Sequence, residues 1–420
     1  MPRIERVEPH LLTFPFAEPL KLDYYGGQRV IYKRDAMLIR VSSDAGLVGY
    51  APGQGSESAR SLILDVIAPW LEGKSFADPD ALRVQFLAGP GQDSHVAKIY
   101  FTVEVALYDL AAKAKGLPLS ELLGGRVRDQ IRLYGSAGMY MQPEGYAEEA
   151  AEVARLGFKA YKMRPGMGPE ADLEAVRLIR ERVGPGIDIM VDAHTWWRMG
   201  DRSYSPETVE RLAREMAEHD ICWLEEPMQP DRHELYRALR EEDILPLAAG
   251  EHELTEEGFE DLMRGPCVDF VQADIVCQGG YAWGRRLFAE IERSDLRFAF
   301  HSWGTYLEIL AAAQFGICWP EHVVEWLEYP LYRKPGQKIM YEFPLAEEIL
   351  KTPLEIIDGD LIVPRKPGLG VEVDESVIEK YPWIPGPWST FTLTSPPGTW
   401  AVYNDHSVQW VVEQYGRAPE

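Results

Sequence analysis

A closed parallel α/β barrel, preceded by a mixed strand-and-helix region, is the fold class this sequence predicts. Three observations carry that reading. The 420 residues make two or three units at a nominal ~150 residues per domain. From about residue 131, short β-rich runs alternate with helical stretches until eight such runs have passed, the texture of parallel βα units. An open dinucleotide-type sheet would usually show an early glycine-rich phosphate loop, and none occurs; the GYAWG stretch after Cys277 lacks that context. Eight strands without such a loop favour closure into a barrel.

Taken in order, residues 1–127 carry the strand pattern DAMLIRVSSDAGLVGYA, with turns at Ser43-Asp44 and Gly46, and then helices. Over 101–115, Leu107, Leu110, Ala111 and Ala114 recur at helical spacing and predict one apolar face, stopped at Gly116 with Pro118 beyond. Residues 128–345 hold the eight runs IRLYGS, KAYKM, IDIMVD, ICWLE, LPLAAGE, VDFVQAD, LRFAFH and VVEWLE. Helical stretches at 169–183 and 205–219 lie between them, the first with Leu173, Val176, Leu178 and Ile179 on its expected buried face. Residues 346–420 contain a helical turn, the strand-like DGDLIVPRKPGLGVEVDE, and a tail from about 381 with Trp383, Trp388, Trp400 and Trp410. That tail is too aromatic for a plain linker and is expected to pack on a neighbouring surface such as another subunit.

Composition narrows the function classes. With 46% hydrophobic and 26% charged residues and a mean hydropathy of −0.24, disorder and collagen-like structure are excluded for the whole chain. The 43 Lys and Arg stand against 67 Asp and Glu, a net charge of −24 that repels nucleic acid and anionic membranes. Any small anionic ligand then needs a local cation. Cys222, Cys267, Cys277 and Cys318 show no CxxC pairing and read as free thiols. The N-terminus has no apolar stretch of signal-peptide length, nor does any later run reach 18 apolar residues, so a cytoplasmic protein is expected.

The chemistry lies at the ends of the strands. Asp192, Glu225, Glu251, Asp274, His301 and Glu328 end or closely follow six successive runs, at gaps of 33, 26, 23, 27 and 27 residues, each about one βα unit. In a parallel barrel this gathers six ionisable groups at the C-terminal mouth, where barrel active sites are built. A lone acid there is most simply a helix cap or a surface charge. Three ending consecutive apolar strands, Asp192, Glu225 and Glu251, supply hard oxygen donors that suit Mg²⁺. Lys162 and Arg164 end the second strand on one side of it and furnish the cation that an anionic substrate needs. His301 with Asp274 reads as a base oriented by a carboxylate. His194, two residues past Asp192, is placed near the metal as a proton donor. His252 beside Glu251 is a weaker candidate, and Glu226 is expected to face away because strand residues alternate.

These residues, with GLPLSELLGG, WLEEP, AAGE, QADIVCQGG and KPGLGVEVD, resemble the mandelate racemase branch of the enolase superfamily, within the mandelate racemase/muconate lactonizing enzyme family. The resemblance spans residues 1 to about 380. It implies a (β/α)₇β TIM-like barrel under an α+β capping domain made from both chain ends. It also implies Asp192, Glu225 and Glu251 as Mg²⁺ ligands, Asp274 and His301 as the base dyad, and Glu328 as a substrate-carboxylate partner. Family racemases carry a KxK pair on the second strand, whereas this chain has KMR. Arginine is effectively always protonated, so Arg164 is a carboxylate clamp and a poor base. The Asp-x-His at Asp192 and His194 resembles acid-sugar dehydratases of this branch, of the galactonate type. LDYYGG, which contains Tyr24, and WWRMGDRSYS are loosely similar to the rhamnonate type.

The resemblance thus implies dehydration of a 2,3-dihydroxy acid sugar to a 2-keto-3-deoxy acid. His301 takes the α-proton, a Mg²⁺-stabilised enediolate follows, and His194 or His301 protonates the departing 3-hydroxyl. Lys162, Arg164, Glu328 and Tyr24 are the expected substrate contacts, and residues 18–30 and 51–58 the expected lid. A homo-oligomer, dimer or octamer, follows from the family. Two rival readings are a racemase or epimerase using Lys162 opposite His301, and a non-catalytic sugar-acid binding protein.

Overall fold

The computed structural model describes residues 2–403, so Trp410 of the aromatic tail lies outside the described residues. Eight parallel strands form the barrel. They are β4 (Gln130–Met139), β5 (Ala160–Arg164), β6 (Asp188–Asp192), β7 (Ile221–Glu225), β8 (Leu247–Ala249), β9 (Phe270–Ala273), β10 (Arg297–Phe300) and β11 (Val324–Pro330). Neighbours pair in chain order, and β11 closes on β4 through pairs from Trp326↔Arg132 to Pro330↔Ser136. A major helix follows each of the first seven, from Pro143–Arg155 to Tyr306–Gly316, which makes the architecture (β/α)₇β. Each predicted run contributes a strand, because an apolar run bounded by turn residues and buried on both faces reads as continuous hydrophobicity.

Along each strand the inward positions form layers. Tyr134, Ala160, Met190, Trp223, Ala248, Phe270, Ala299 and Trp326 pack as one buried cluster inside the barrel. They plug it with alternating large and small side chains, so the mouth above has a solid floor. Two residues further along, period two places Lys162, Asp192, Glu225, Gln272, His301 and Glu328 on the same inward side.

The second region is built on a five-stranded antiparallel sheet. Long strands β1 (Ile4–Tyr24) and β2 (Gly27–Ser43) form a hairpin; β3 (Val48–Gly53) pairs with the second half of β2, and β14 (Ser389–Thr394) with its first. β15 (Pro397–Tyr403) completes the sheet; the short strands β12 (Ile356–Ile357) and β13 (Asp360–Ile362) lie instead against β4. The C-terminal segment therefore packs, as far as it is described, on this chain's own sheet. Trp388 is buried there, its ring centroid 5.4 Å from that of Tyr403 in a tilted contact.

The helix expected over 101–115 spans Ser94–Lys115, capped by Asp93 and ended by Gly116 in the left-handed conformation (φ 67°). Its buried set runs almost unbroken from Thr102 to Ala112, whereas Ala114 is exposed. It is sandwiched between the sheet and the barrel helices, so a one-sided pattern understates its burial. In the Pro169–Val183 helix, Val176 and Ile179 are buried but Leu173 and Leu178 only in part, and Asp172 and Ala175 take the inner places. The β1–β2 tip docks on the barrel: Tyr25 N–H donates to the Gly166 carbonyl (2.7 Å) and Arg202 to that of Tyr25 (2.7 Å). A Cβ on Gly26 would meet Met199 at 2.6 Å, so only glycine permits that approach. The four cysteines are free, and no described helix is long and apolar enough to cross a membrane.

Candidate active site

A cavity of about 210 Å³ lies over the barrel mouth, roofed by the sheet. Its barrel wall includes Arg164, Asp192, His194, Glu251, Asp274 and His301. Each stands at or just past the end of a strand, which is why groups far apart in sequence share one chamber.

Three of the anticipated residues lie beneath this chamber. Lys162 is fully buried, its Nζ at 2.7 Å from Glu225 Oε1, 3.1 Å from Glu328 Oε1 and 3.6 Å from Asp192 Oδ2. Burial alone would lower its pKa, but Glu225, Glu328 and Asp192 outweigh that and hold it above the ordinary lysine value. It is a charged keystone and not a free base. Glu328 was expected against the substrate, yet it does not line the cavity: it accepts from Lys162, Arg164 and the Ser302 N–H (3.0 Å). Despite the opposing effect of burial, Lys162, His301 and Arg164 bring its pKa down to about 2. Glu225 is likewise engaged, by Lys162 and by the Trp223 indole N–H (2.9 Å). Tyr24 lies outside the cavity wall, packed on Tyr140 at 5.2 Å and Phe391 at 6.1 Å. The alternation of β1 turns its ring into the sheet-to-barrel packing.

Arg164 pairs with Asp192 (3.2 Å) and Glu328 (3.1 Å), donates to the Ala137 carbonyl and Ser136 Oγ, and lies 4.0 Å from the Trp303 ring centroid. It lines the cavity and its charge is fixed. His301 Nε2 lies 3.1 Å from Glu251 Oε2 and 3.9 Å from Glu328 Oε2. Burial depresses its pKa, but Glu251 and Glu328, with a smaller contribution from Asp274, raise it to about 9. No hydrogen bond joins Asp274 to His301 among the described residues; the pair interact through space, and Glu251 is the nearer partner. His194 Nδ1 is 2.6 Å from Asp192 Oδ1. Burial first, then Arg198, outweighs the pull of Asp192 and lowers its pKa to about 4, so its ring is neutral at pH 7.

Glu226 corrects the alternation argument. It is buried, but its φ of 42° takes it out of strand geometry, and Oε2 meets His252 Nδ1 at 2.5 Å. Glu226, Glu251 and His252 bring donor atoms within 4.8 Å of one another, and Glu226 Oε1 has no hydrogen-bond partner. An orphaned carboxylate oxygen amid carboxylates, with Asp192 and Glu225 adjacent, fits a hard divalent cation. Burial pushes Glu225 and Glu226 each up to about 8.

Sequence reasoning also missed the cap's contribution to this chamber, Arg29, Arg34 and Trp388 among others, together with Trp303 and Glu308 from the barrel. Trp303 was legible, since it follows His301 by two and shares its side of the strand's extension. The cap residues carried no signal, because their proximity is created by docking of two separate chain segments.

With this geometry established, comparison with known proteins assigns the class. The model for the mandelate racemase / muconate lactonizing enzyme N-terminal domain matches residues 27–124, and that for the enolase C-terminal domain-like region matches 145–377. The chain belongs to the mandelate racemase/muconate lactonizing enzyme family of the enolase superfamily. Among its relatives, D-galactarolactone cycloisomerase of Agrobacterium fabrum is 27% identical, over 90% of this chain and 98% of the relative. D-xylonate dehydratase of Haloferax volcanii is 28% identical over 82% and 85%. The crystal structure of the 3,6-anhydro-D-galactonate cycloisomerase of Zobellia galactanivorans superposes with a TM-score of 0.75 at 27% identity, covering 90% of this chain and 99% of the other.

Proposed function

We propose that this protein is a Mg²⁺-dependent acid-sugar dehydratase, a carbon–oxygen lyase acting on a 2,3-dihydroxy acid. The observation that carries the reading is the asymmetry of the bases: His301 lines the cavity, while Lys162 is sealed beneath it in a three-carboxylate cluster. Inverting a stereocentre by proton transfer needs a base on each face. The lysine of the racemase reading has no access, and Arg164 holds its proton. Relatives named as dehydratases of acid sugars support the same choice.

Asp192, Glu225 and Glu251 would hold Mg²⁺, with the unpartnered oxygen of Glu226 beside them. When bound, the ion supplies positive charge against the negative charge that grows on the substrate carboxylate as its α-proton leaves. Arg164, fixed by Asp192, Glu328 and Trp303, binds that carboxylate and orients C2 toward the His301 ring. His301 Nε2 takes the C2 proton; the electron pair forms the C2–C3 double bond as the C3–O bond breaks. The leaving hydroxyl needs a proton, and His301 now carries one, whereas the neutral His194 ring is a weak acid. Water departs, and the enol becomes a 2-keto-3-deoxy acid. Glu251 and Glu328, facing His301, favour its protonated form in the metal-free protein; with Glu251 committed to Mg²⁺ that pull would weaken and free the neutral ring to take the proton. The sheet above the mouth excludes bulk water during elimination.

The test is incubation of the Mg²⁺-loaded protein with a library of sugar acids in D₂O, scored by semicarbazide for 2-keto acids. Exchange with inversion and no keto acid would sink the dehydratase reading. The two cycloisomerase relatives favour a second outcome, in which the leaving oxygen is a ring oxygen of the substrate; a product isomeric with the substrate distinguishes it from loss of water.

A further inference from the structure

One wall of the cavity is a ladder of guanidinium and indole groups climbing from the barrel floor into the cap. Arg164 lies 4.0 Å from the Trp303 ring centroid, and Arg34 5.5 Å from the same ring. Arg34 is also 5.5 Å from the Trp388 centroid, and Arg29 is 5.2 Å from that ring. All five residues line the one chamber. Two belong to β2, one immediately precedes β14, one belongs to β5 and one to the loop after β10, so the ladder exists only when cap and barrel are assembled.

Its lower and upper rungs differ in how their charge is met. Arg164 has two carboxylates. Arg34, only 2% exposed, donates to the Tyr341 hydroxyl and the Trp303 carbonyl, and its Nε has no partner. Arg29, 7% exposed, donates from Nε to Ser389 Oγ at 3.1 Å and from Nη1 to Met139 Sδ at 3.3 Å, a weak acceptor. Neither forms an ion pair with a carboxylate among the described residues. The nearby Asp35 is occupied by Lys33 (3.0 Å) and the Thr13 hydroxyl (2.8 Å). A guanidinium cannot shed its proton, and aromatic faces offset only part of the cost of burying it without a counter-ion. In a chain of net charge −24, two buried arginines left without an anion on a ligand cavity mark a place where the anion arrives with the ligand.

We infer that the substrate is a dicarboxylic sugar acid, whose reacting carboxylate is taken at the Arg164 end and whose second carboxylate is bound by Arg29 and Arg34. This rests on the acid-sugar reading above and narrows it from aldonates to aldarates. The planar fork of each guanidinium matches a carboxylate edge. It sets the register of the sugar chain by holding both ends, which fixes the carbon presented to His301.

The experiment is calorimetric titration of the Mg²⁺-loaded protein with pairs of six-carbon acids of the same configuration: gluconate and glucarate, galactonate and galactarate, mannonate and mannarate, with each monoacid also tested as its 6-phosphate. The same compounds are assayed for keto-acid formation. In at least one pair the diacid should bind ten-fold or more tightly than its monoacid and than the 6-phosphate. Arg29→Met should cut that diacid-to-monoacid ratio at least ten-fold, with Arg29→Lys falling between, since lysine keeps the charge and loses the fork. Equal or tighter binding of the monoacid in every pair, or a preference for the phosphate, would overturn the inference using wild-type protein alone, whatever the variants' folding. A ratio unmoved by Arg29→Met would overturn it too. Diacid preference without dehydration leaves this inference standing and removes the dehydratase reading. Dehydration of monoacids without diacid preference does the reverse.

Discussion

Two layers of the barrel interior, two residues apart on the same strands, are built from opposite chemistries at nearly the same burial. In the lower layer Ala160, Met190, Trp223, Ala299 and Trp326 interlock as an apolar plug. Directly above, Lys162, Asp192, Glu225, His301 and Glu328 form a charged network, all but His301 at 1% exposure or less. Burial therefore does not distinguish core from site here; the difference is what satisfies each group. The plug is complete in itself, whereas the charged layer balances several carboxylates against Lys162 and Arg164 and leaves one Glu226 oxygen unpartnered. A layer that is electrostatically unfinished when the protein stands alone is built to be completed by a ligand.

Substitutions can break that contrast, and the largest effect is expected on turnover. His301→Asn should lower kcat by about 10²–10⁴-fold, the usual worth of a general base, in a protein that still unfolds in a single cooperative transition. Persisting turnover in the keto-acid assay would place the base elsewhere. Lys162→Met leaves Glu225 and Glu328 without their shared cation and should cost about 3–5 kcal/mol in denaturant unfolding of the metal-free protein. Met190→Ala, in the plug, should cost about 2–5 kcal/mol by opening a cavity. The contrast sharpens on adding Mg²⁺: the deficit of Lys162→Met should shrink, because a cation returns to the acids, while that of Met190→Ala should stay. Equal responses would mean that the two layers are energetically alike.

Smaller effects concern metal binding. Glu226→Gln should weaken Mg²⁺ binding by about 10–100-fold, as loss of a ligand's close support does, read by calorimetry; no change would return Glu226 to a purely structural place. Glu225 and Glu226 have pKa values raised to about 8 by burial. Both therefore carry protons through part of the neutral range, and these must leave before a cation is bound. Mg²⁺ affinity should rise with pH from 6 to 8 and level above it, with proton release detected in buffers of different ionisation enthalpy. The linkage has the matching sign for folding: the folded state holds these protons at pH values where the unfolded chain has lost them. The metal-free protein should thus lose stability as pH rises from about 4.5 to 8.

Much of the charged layer was legible because a parallel barrel converts sequence spacing into position. A polar residue ending an apolar run, repeated at one βα unit, must fall on the rim, and Asp192, His301 and Arg164 do line the chamber. Which rim residues face the cavity was not legible. Lys162 and Glu328 lie one rung too deep, and Glu226 turns inward through a single left-handed residue that no periodicity announces. Arg29, Arg34 and Trp388 were invisible for another reason: β2 and β14 are adjacent only in space, paired from Gly27↔Leu393 to Ile31↔Ser389.

By itself, then, the sequence determined the barrel, its eight strands, the identity of the acids and of the histidine at the strand ends, and the arginine in place of a second lysine. Those properties are local, set by hydrophobic runs, turn residues and a period of two. Tertiary structure alone decided which charges neutralise one another, which oxygen stays unpartnered, and that the cap carries two arginines to the mouth without carboxylate partners. Each of these depends on distances between segments far apart in the chain, and electrostatic balance in a buried site is a property of those distances.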